Sequence, residues 1–300
     1  MKKKHKKIIS AIIAIIVILL YNYYTQDIEP SNAKKEESIP VTNTVTSNLQ
    51  IYFFDVGQAD SILILNNNTT MLIDAGNNND GKLLVDYIKN KLKINKIDIL
   101  VGTHPHEDHI GGLDNIINEL DIGDIYLPEV ITTTKTFEDV ITAIENKDLA
   151  ITVPEIGEKF TLGEADFEVL FTGTDDRDLN ATSIIINMLY GNKSYLFTGD
   201  TTEEVEETIL NKNIDIDVLK VAHHGSRYSS SYDFLEKATP AYAIISVGED
   251  NSYEHPHQEA INRIKKHTNK IYMTKDVGTI LLTSDGTNIN IEYLDTKTNG

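Results

Sequence analysis

Seven of the nine histidines fall in three short clusters: His104, His106 and His109; His223 and His224; His255 and His257. Imidazoles grouped this closely, with carboxylates among them, are suited to holding metal ions. The first cluster reads Thr-His104-Pro-His106-Glu-Asp108-His109-Ile-Gly-Gly. In a loop this short, His104 and His106 can face one ion while Asp108 and His109 reach a second. The second cluster reads Val-Ala-His223-His224-Gly225-Ser226, and Phe-Thr-Gly199-Asp200 lies between the two. An aspartate at that point can bridge two ions. The chain has no Cys, which excludes disulfides, thiolate nucleophiles and Cys-ligated metals. Any metal must use His, carboxylate, other oxygen ligands and water, a donor set that suits Zn²⁺ or Mn²⁺.

Such ligands need strands that end at one edge. The pattern predicts strands over Leu49–Val56, Ser61–Leu65 and Thr70–Asp74, then a helix over Gly81–Leu92. A strand over Ile97–Thr103 leads into the first histidine cluster, and Ser194–Thr198 leads into Asp200. Val218–Ala222 leads into His223, and Tyr242–Val247 precedes His255. Helices are expected at Gly112–Leu120, Phe137–Asn146, Glu203–Asn211 and Gln258–His267, with further strands at 125–127, 151–154, 159–162, 166–171 and 183–189 and three at the end. Strand ends are where α/β-type folds place their sites. Hairpins mixed with β-α units point to two mixed sheets under outer helices.

THPHEDHIGG, FTGD and VAHHGS together resemble the metallo-β-lactamase superfamily, over about residues 49–294. The resemblance implies an α/β fold, a four-layer αβ/βα sandwich with a two-metal site at one edge. FFDVGQADSILI, LIDAGN, HHGSRYSS and SVGEDNSYEHPH resemble more narrowly the ComEC-type competence hydrolase domain, in a stand-alone form. That implies metal ligands at His104, His106, Asp108, His109, Asp200 and one of the His223-His224 pair, assigned here to His224. True β-lactamases carry another His ligand in mid-chain. Here that region reads DDRDLNATSIII, with Asn180 and Ser183, so one metal has a ligand fewer. Two positions depart from the group: Ala59 and Glu254 stand where glycine is usual.

Two divalent ions in such a site suit phosphodiester hydrolysis. Asp200 would bridge them, Asp108 would handle a proton as well as ligate, and His255 would protonate the leaving oxygen or hold a phosphate oxygen. Asp74 is the expected support for a ligand histidine. Asp60, His223, Ser226 and Asn251 complete the candidates, the last two as phosphate donors. Gly111-Gly112 opens a helix whose N-terminus could favour an anion.

The formal net charge is −19, from 46 acidic and 27 basic residues. Five lysines precede Ile8, so the rest carries 27 − 5 = 22 basic residues and a net −24. Tight, non-specific DNA binding is therefore not expected. Lys2–Lys7 followed by the apolar stretch Ile8–Leu20 and three tyrosines reads as a signal-anchor or signal peptide over 1–24, in which residues 8–24 would be roughly 25 Å long as a helix. A flexible linker over 25–48 and a hydrolase domain over 49–295 would follow. The domain would then lie outside the cytoplasm, held in the cell membrane or secreted if the segment is cleaved.

The leading expectation is a metal-dependent phosphodiesterase or nuclease whose substrate includes single-stranded DNA. A role in uptake would need a DNA-channel partner. The alternative is a cell-surface hydrolase of a smaller phosphodiester, such as phosphorylcholine on wall polymer, with Tyr228, Tyr232 and Tyr253 as an aromatic cage. A β-lactamase and a non-catalytic binding protein rank below both.

Overall fold

The central strands read as unbroken apolar runs because both of their faces are covered. In a strand, neighbouring residues point to opposite sides. Ile184 and Ile186 enter one hydrophobic cluster and Ile185 another. Tyr195 and Phe197 are split from Leu196 in the same way, and Ile244 from Ala243 and Ile245. One cluster lies between two sheets, and the second lies between a sheet and its helices.

The computed structural model describes residues 49–294. The expected anchor and linker over 1–48, and residue 295, lie outside the described residues. No helix among the described residues is long and apolar enough to cross a membrane. In chain order the elements begin with strands β1 (Leu49–Phe53), β2 (Ile62–Asn66) and β3 (Thr69–Ile73). Helix α1 (Gly81–Val85) follows and runs on into a π-helical turn, Asp86–Lys91. Then come β4 (Lys96–Val101), α2 (Glu107–Ile110), α3 (Leu113–Glu119), β5 (Asp121–Tyr126), α4 (Lys135–Asn146) and β6 (Ile151–Thr152). These strands, with β14 (Thr279–Ser284) and β15 (Ile289–Leu294), form an eight-stranded sheet in the order β15-β14-β1-β2-β3-β4-β5-β6. Its β3–β6 half is parallel.

The second sheet holds β7 (Lys159–Leu162), β8 (Ala165–Phe171), β9 (Ile185–Tyr190), β10 (Lys193–Phe197), β11 (Val218–Lys220), β12 (Tyr242–Ile245) and β13 (Ile271–Met273), in the order β13-β12-β11-β10-β9-β8-β7. Here β10–β13 are parallel. Helices α5 (Glu203–Ile209), α6 (Tyr232–Ala238) and α7 (Gln258–Ile264) bring Val205, Ile209, Phe234, Leu235, Ile261 and Ile264 onto its outer face. The short α8 (Thr274–Val277) leads into β14. The resulting pair of mixed sheets with outer helices is the expected architecture.

Differences from the sequence pattern are local. Helix α6 was not expected; Ser231 caps it by accepting the Phe234 N–H at 3.3 Å. The histidine loop contains a helical turn, α2, that brings Asp108 and His109 back toward the sheet. The Gly111-Gly112 pair serves close packing. A Cβ on Gly112 would run into the Ala75 carbonyl oxygen and lie 2.7 Å from the Gly81 Cα.

Gly57 provides the contrast, since a Cβ there meets nothing within 4 Å among the described residues although φ is +70°. Gly112→Ala should cost about 2–3 kcal/mol by overpacking, and Gly57→Ala about 1–2 kcal/mol from backbone strain alone. Urea unfolding of the two variants checks the order, and equal losses would contradict the packing role of Gly112.

Candidate metal centre

Two neighbouring parallel strands of the first sheet and three of the second end at the site, and the loop after each delivers part of it. Asp74 follows β3, His104 to His109 follow β4, and Asp200 follows β10. His223 and His224 follow β11, and Ser246 follows β12. The side chains are withdrawn from water: His104, His109, Asp200, His224, Asp60 and Asp74 are all buried.

The atoms form two groups. His104 Nε2 faces His106 Nδ1 at 3.0 Å. Beside them, Asp108, His109, Asp200 and His224 offer ligand atoms that all lie within 4.8 Å of one another. His109 Nε2 is 3.2 Å from Asp200 Oδ1, and His224 Nε2 is 3.3 Å from Asp108 Oδ2 and 3.5 Å from Asp200 Oδ2. His109 Nε2 and Asp200 Oδ1 are buried with no hydrogen-bond partner among the described residues. Two such atoms, each offering a lone pair at one point, are what a cation would satisfy, so these residues fit a divalent ion.

Three of the ligand rings, those of His104, His109 and His224, are held through their other nitrogen, as is usual for metal-binding histidines. His109 Nδ1 donates to Asp74 Oδ2 at 2.8 Å, and Asp74 is itself fixed by the Thr103 N–H (2.8 Å) and Oγ1–H (2.7 Å). His224 Nδ1 donates to the Ser246 carbonyl at 2.9 Å. His104 Nδ1 lies 3.2 Å from Thr103 Oγ1 and 3.4 Å from Ser183 Oγ. That same Ser183 Oγ accepts the Asp200 N–H at 3.1 Å. Ser183 therefore ties the two groups together in the region without a mid-chain His. A second acidic grouping, Asp60, Asp74 and His109, is the support layer behind the ligands. Asp60 Oδ2 pairs with the fully buried Lys220 Nζ at 2.5 Å.

Burial alone would raise the carboxyls and lower the imidazoles. The neighbours reverse this. His109 and His224 hold Asp108 below the usual carboxylate range, and with His223 they hold Asp200 well below it, against the effect of burial. Although burial lowers it, His109 is raised well above an ordinary imidazole by Asp200, Asp74 and Asp108. The cluster attracts positive charge, and protons and a divalent cation compete for the same Nε2 atoms.

The histidine pair separates by position. His224 lies in the four-residue cluster, whereas His223 Nε2 sits 3.7 Å from Asp200 Oδ2 at a more open point. Both have left-handed backbones, φ 51° and 52°, at a cost of about 1–2 kcal/mol each for non-glycine residues. The loop beyond them is clamped from two sides. Buried Glu206, pushed up to about 7 by burial, accepts the Ser230 and Ser231 N–H groups at 2.6 and 2.8 Å. Arg263 donates to the carbonyls of Arg227, Ser229 and Ser230.

Several expectations change. Asn251 is a loop brace, because its amide is spent on Gly248 and on the His255 backbone. Ser226 Oγ accepts the Tyr228 N–H at 3.3 Å inside its own turn. Asn180 Oδ1 is buried without a partner among the described residues, and the Asn180 N–H donates to Asp178 Oδ1 at 3.1 Å, within its own turn. His255 is pushed down to about 4 by burial and by His223, His224 and His257, so at neutral pH it is not an imidazolium acid. Ala59 needs no glycine, since its φ is not positive, whereas Glu254 sits at φ 60°. Sequence reasoning missed Lys220, Glu206 and Arg263. The lysine inside the apolar run VLKVA was the available signal.

Two mixed sheets with a histidine-aspartate cluster at their shared edge define a metal-dependent hydrolase class. A family model described as the metallo-beta-lactamase superfamily matches residues 54–249, and the chain belongs to that superfamily. It is 29% identical over 257 residues to ComE operon protein 3 of Bacillus subtilis, covering 79% of this chain and 33% of that protein. It is 28% identical over 225 residues to Competence protein ComA of Neisseria gonorrhoeae, covering 74% of this chain and 30% of that one. The chain thus spans about a third of the length of these relatives. The metallo-beta-lactamase fold protein YhfI of Bacillus subtilis superposes with TM-score 0.55 at 12% identity, covering 79% of this chain and all of that one.

Asp74→Asn should weaken Zn²⁺ or Mn²⁺ binding by about 10- to 100-fold by releasing the His109 ring, read by competition with a chromophoric chelator. Unchanged affinity would remove Asp74 from the support layer. Glu254→Gly should gain about 0.4–1 kcal/mol in urea unfolding, by relieving the positive φ at that position.

Proposed function

We propose that this chain is an extracytoplasmic two-metal phosphodiesterase of ComEC type whose substrate includes single-stranded DNA. The observation that carries the reading is the buried Asp200, whose carboxylate faces His109 and His224 while its N–H shares Ser183 with His104. His104, His106 and Asp200 would hold one ion, and Asp108, His109, His224 and Asp200 the other. Divalent ions bound there supply Lewis acidity at a phosphoryl oxygen and a water made nucleophilic near neutral pH. The chain's own part is to fix the ligand rings through Asp74 and Ser246, to keep bulk water out by burial, and to place Asp108, the more open carboxylate, at the mouth.

The aromatic side chains favour a nucleic acid over a choline ester. Tyr232 is occupied by the chain's own Lys266, whose Nζ lies 4.4 Å from the ring centroid, so three tyrosines do not form a free cage. Tyr253 is exposed and stacked on His255 at 5.7 Å, where a base could stack on its outer face. The competence proteins among the relatives support the same substrate class, and a channel partner would be needed for uptake. The Lys-rich, apolar N-terminus supports a membrane anchor with the domain outside the cytoplasm.

The test uses the full chain, stripped of metal and reconstituted with Mn²⁺ or Zn²⁺, assayed on single-stranded DNA and on bis-(p-nitrophenyl) phosphate. Cleavage of both, abolished in Asp200→Asn, is expected. Cleavage of the small diester alone would shift the assignment to a smaller phosphodiester, and cleavage of neither with metals bound would overturn it. Because enzyme and DNA are both anionic, added salt at low ionic strength should lower the KM for DNA, whereas a basic-track nuclease shows the reverse.

A further inference from the structure

The turn between β1 and β2 brings Gln58 against the loop that carries His255. The Gln58 amide spans two fixed groups. Its Oε1 accepts the Gly248 N–H at 3.1 Å, and its Nε2 lies 3.3 Å from His255 Nδ1. A backbone N–H can only donate, which sets the polarity of the amide, because a flipped amide would place donor against donor. Gln58 Nε2 therefore presents hydrogen to His255, and the ring nitrogen it faces must accept. A neutral imidazole that accepts at Nδ1 carries its proton at Nε2.

The surroundings hold that ring in place. Asn251 Oδ1 accepts the His255 N–H at 2.9 Å, and Asn251 Nδ2 donates to the His255 carbonyl at 2.7 Å. Gly248 lets the two loops close up, since a Cβ there would sit 2.7 Å from the Gln58 nitrogen. The ring centroid lies 5.4 Å from that of His223 and 6.2 Å from that of His224.

The contrast with the ligand histidines is chemical. His109 and His224 give their Nδ1 protons to Asp74 and Ser246, which leaves Nε2 with a lone pair for a cation. His255 is wired the other way round, with a lone pair at Nδ1 already engaged and a proton at Nε2. Such a ring cannot ligate through Nε2; it can donate a hydrogen bond to an anionic oxygen. His257 has the same wiring, accepting the Arg227 N–H at 3.0 Å, but it lies farther out and is more open to solvent.

We infer that Gln58 is a positioning residue that fixes His255 as an Nε2–H donor to a non-bridging oxygen of the substrate phosphate. This inference rests on the phosphodiesterase reading for its substrate, while the wiring itself does not.

The test is a two-bond ¹H–¹⁵N correlation spectrum of the full chain labelled at histidine and loaded with Zn²⁺, with His255→Gln to assign the ring. Wild type should show His255 protonated at Nε2, and that signal should shift when inorganic phosphate is added. In Gln58→Glu, which offers only acceptors at this point, Nδ1 should gain a proton. Gln58→Leu should lower kcat/KM on bis-(p-nitrophenyl) phosphate by about tenfold, in keeping with one hydrogen bond to a charged group, with metal content unchanged. A wild-type ring protonated at Nδ1, an Nδ1 that stays bare in Gln58→Glu, or no response to phosphate would overturn the inference. If wild type hydrolyses no diester yet shows the expected proton and the phosphate shift, the reaction assignment fails and the donor role stands.

Discussion

Carboxylates buried beside one another repel, and this protein packs Asp60, Asp74 and Asp200 together with almost no access to water. Two of them have protein partners, and Asp200 faces the histidines with which it would share a cation. Lys220 takes Asp60, the His109 ring and Thr103 take Asp74, and His109 and His224 face Asp200. A buried ion pair gives little net stability, but losing one partner typically costs 3–5 kcal/mol. These pairs therefore act mainly as constraints on arrangement. The orientation of His224 depends on strand β12 being in register with β11, and that of His109 on β3 lying beside β4. The interior supports one arrangement of the site because the alternatives leave a charge unpaired.

The two sheets make that arrangement reachable. Parallel strands deliver their carboxyl ends to one edge, so residues 74, 104 to 109, 200 and 223 to 224 converge although they are far apart in the chain. The loops there are not free to wander. Glu206 accepts two N–H groups of the loop after the histidine pair, and Arg263 covers three of its carbonyls. Asn251 does the same for the loop around His255. The site is pre-organised by polar atoms of the backbone as much as by packing.

Most of this was legible where the signal was local. The strand ends, the three histidine clusters and the acidic residues between them can be read in the chain, because ligand spacing and apolar runs are properties of neighbours in sequence. Helix α6 was not legible, since its start is hidden in the run Ser229-Ser230-Ser231, in which only one serine is the cap. Lys220, Glu206 and Gln58 were missed because each acts through a partner far along the chain: Asp60, Ser230 and His255. The packing role of the glycine pair at 111 and 112 was not legible, since the Ala75 carbonyl that it makes room for lies far back in the chain. Asn251 misled for a similar reason, because a side-chain amide near the site says nothing about whether its hydrogens are already used.

The successive left-handed backbones at His223 and His224 have a consequence for the history of this chain. Glycine would carry no left-handed strain at either position, so imidazoles there cost stability for a reason that lies in the site and not in the fold. A duplicated copy released from catalytic selection should lose these two residues early, with glycine as the favoured replacement, while its core strands stay recognisable. The pair is thus a marker of selection for activity: a relative with the same fold and glycine at both positions would be a lineage that kept the scaffold and gave up the chemistry.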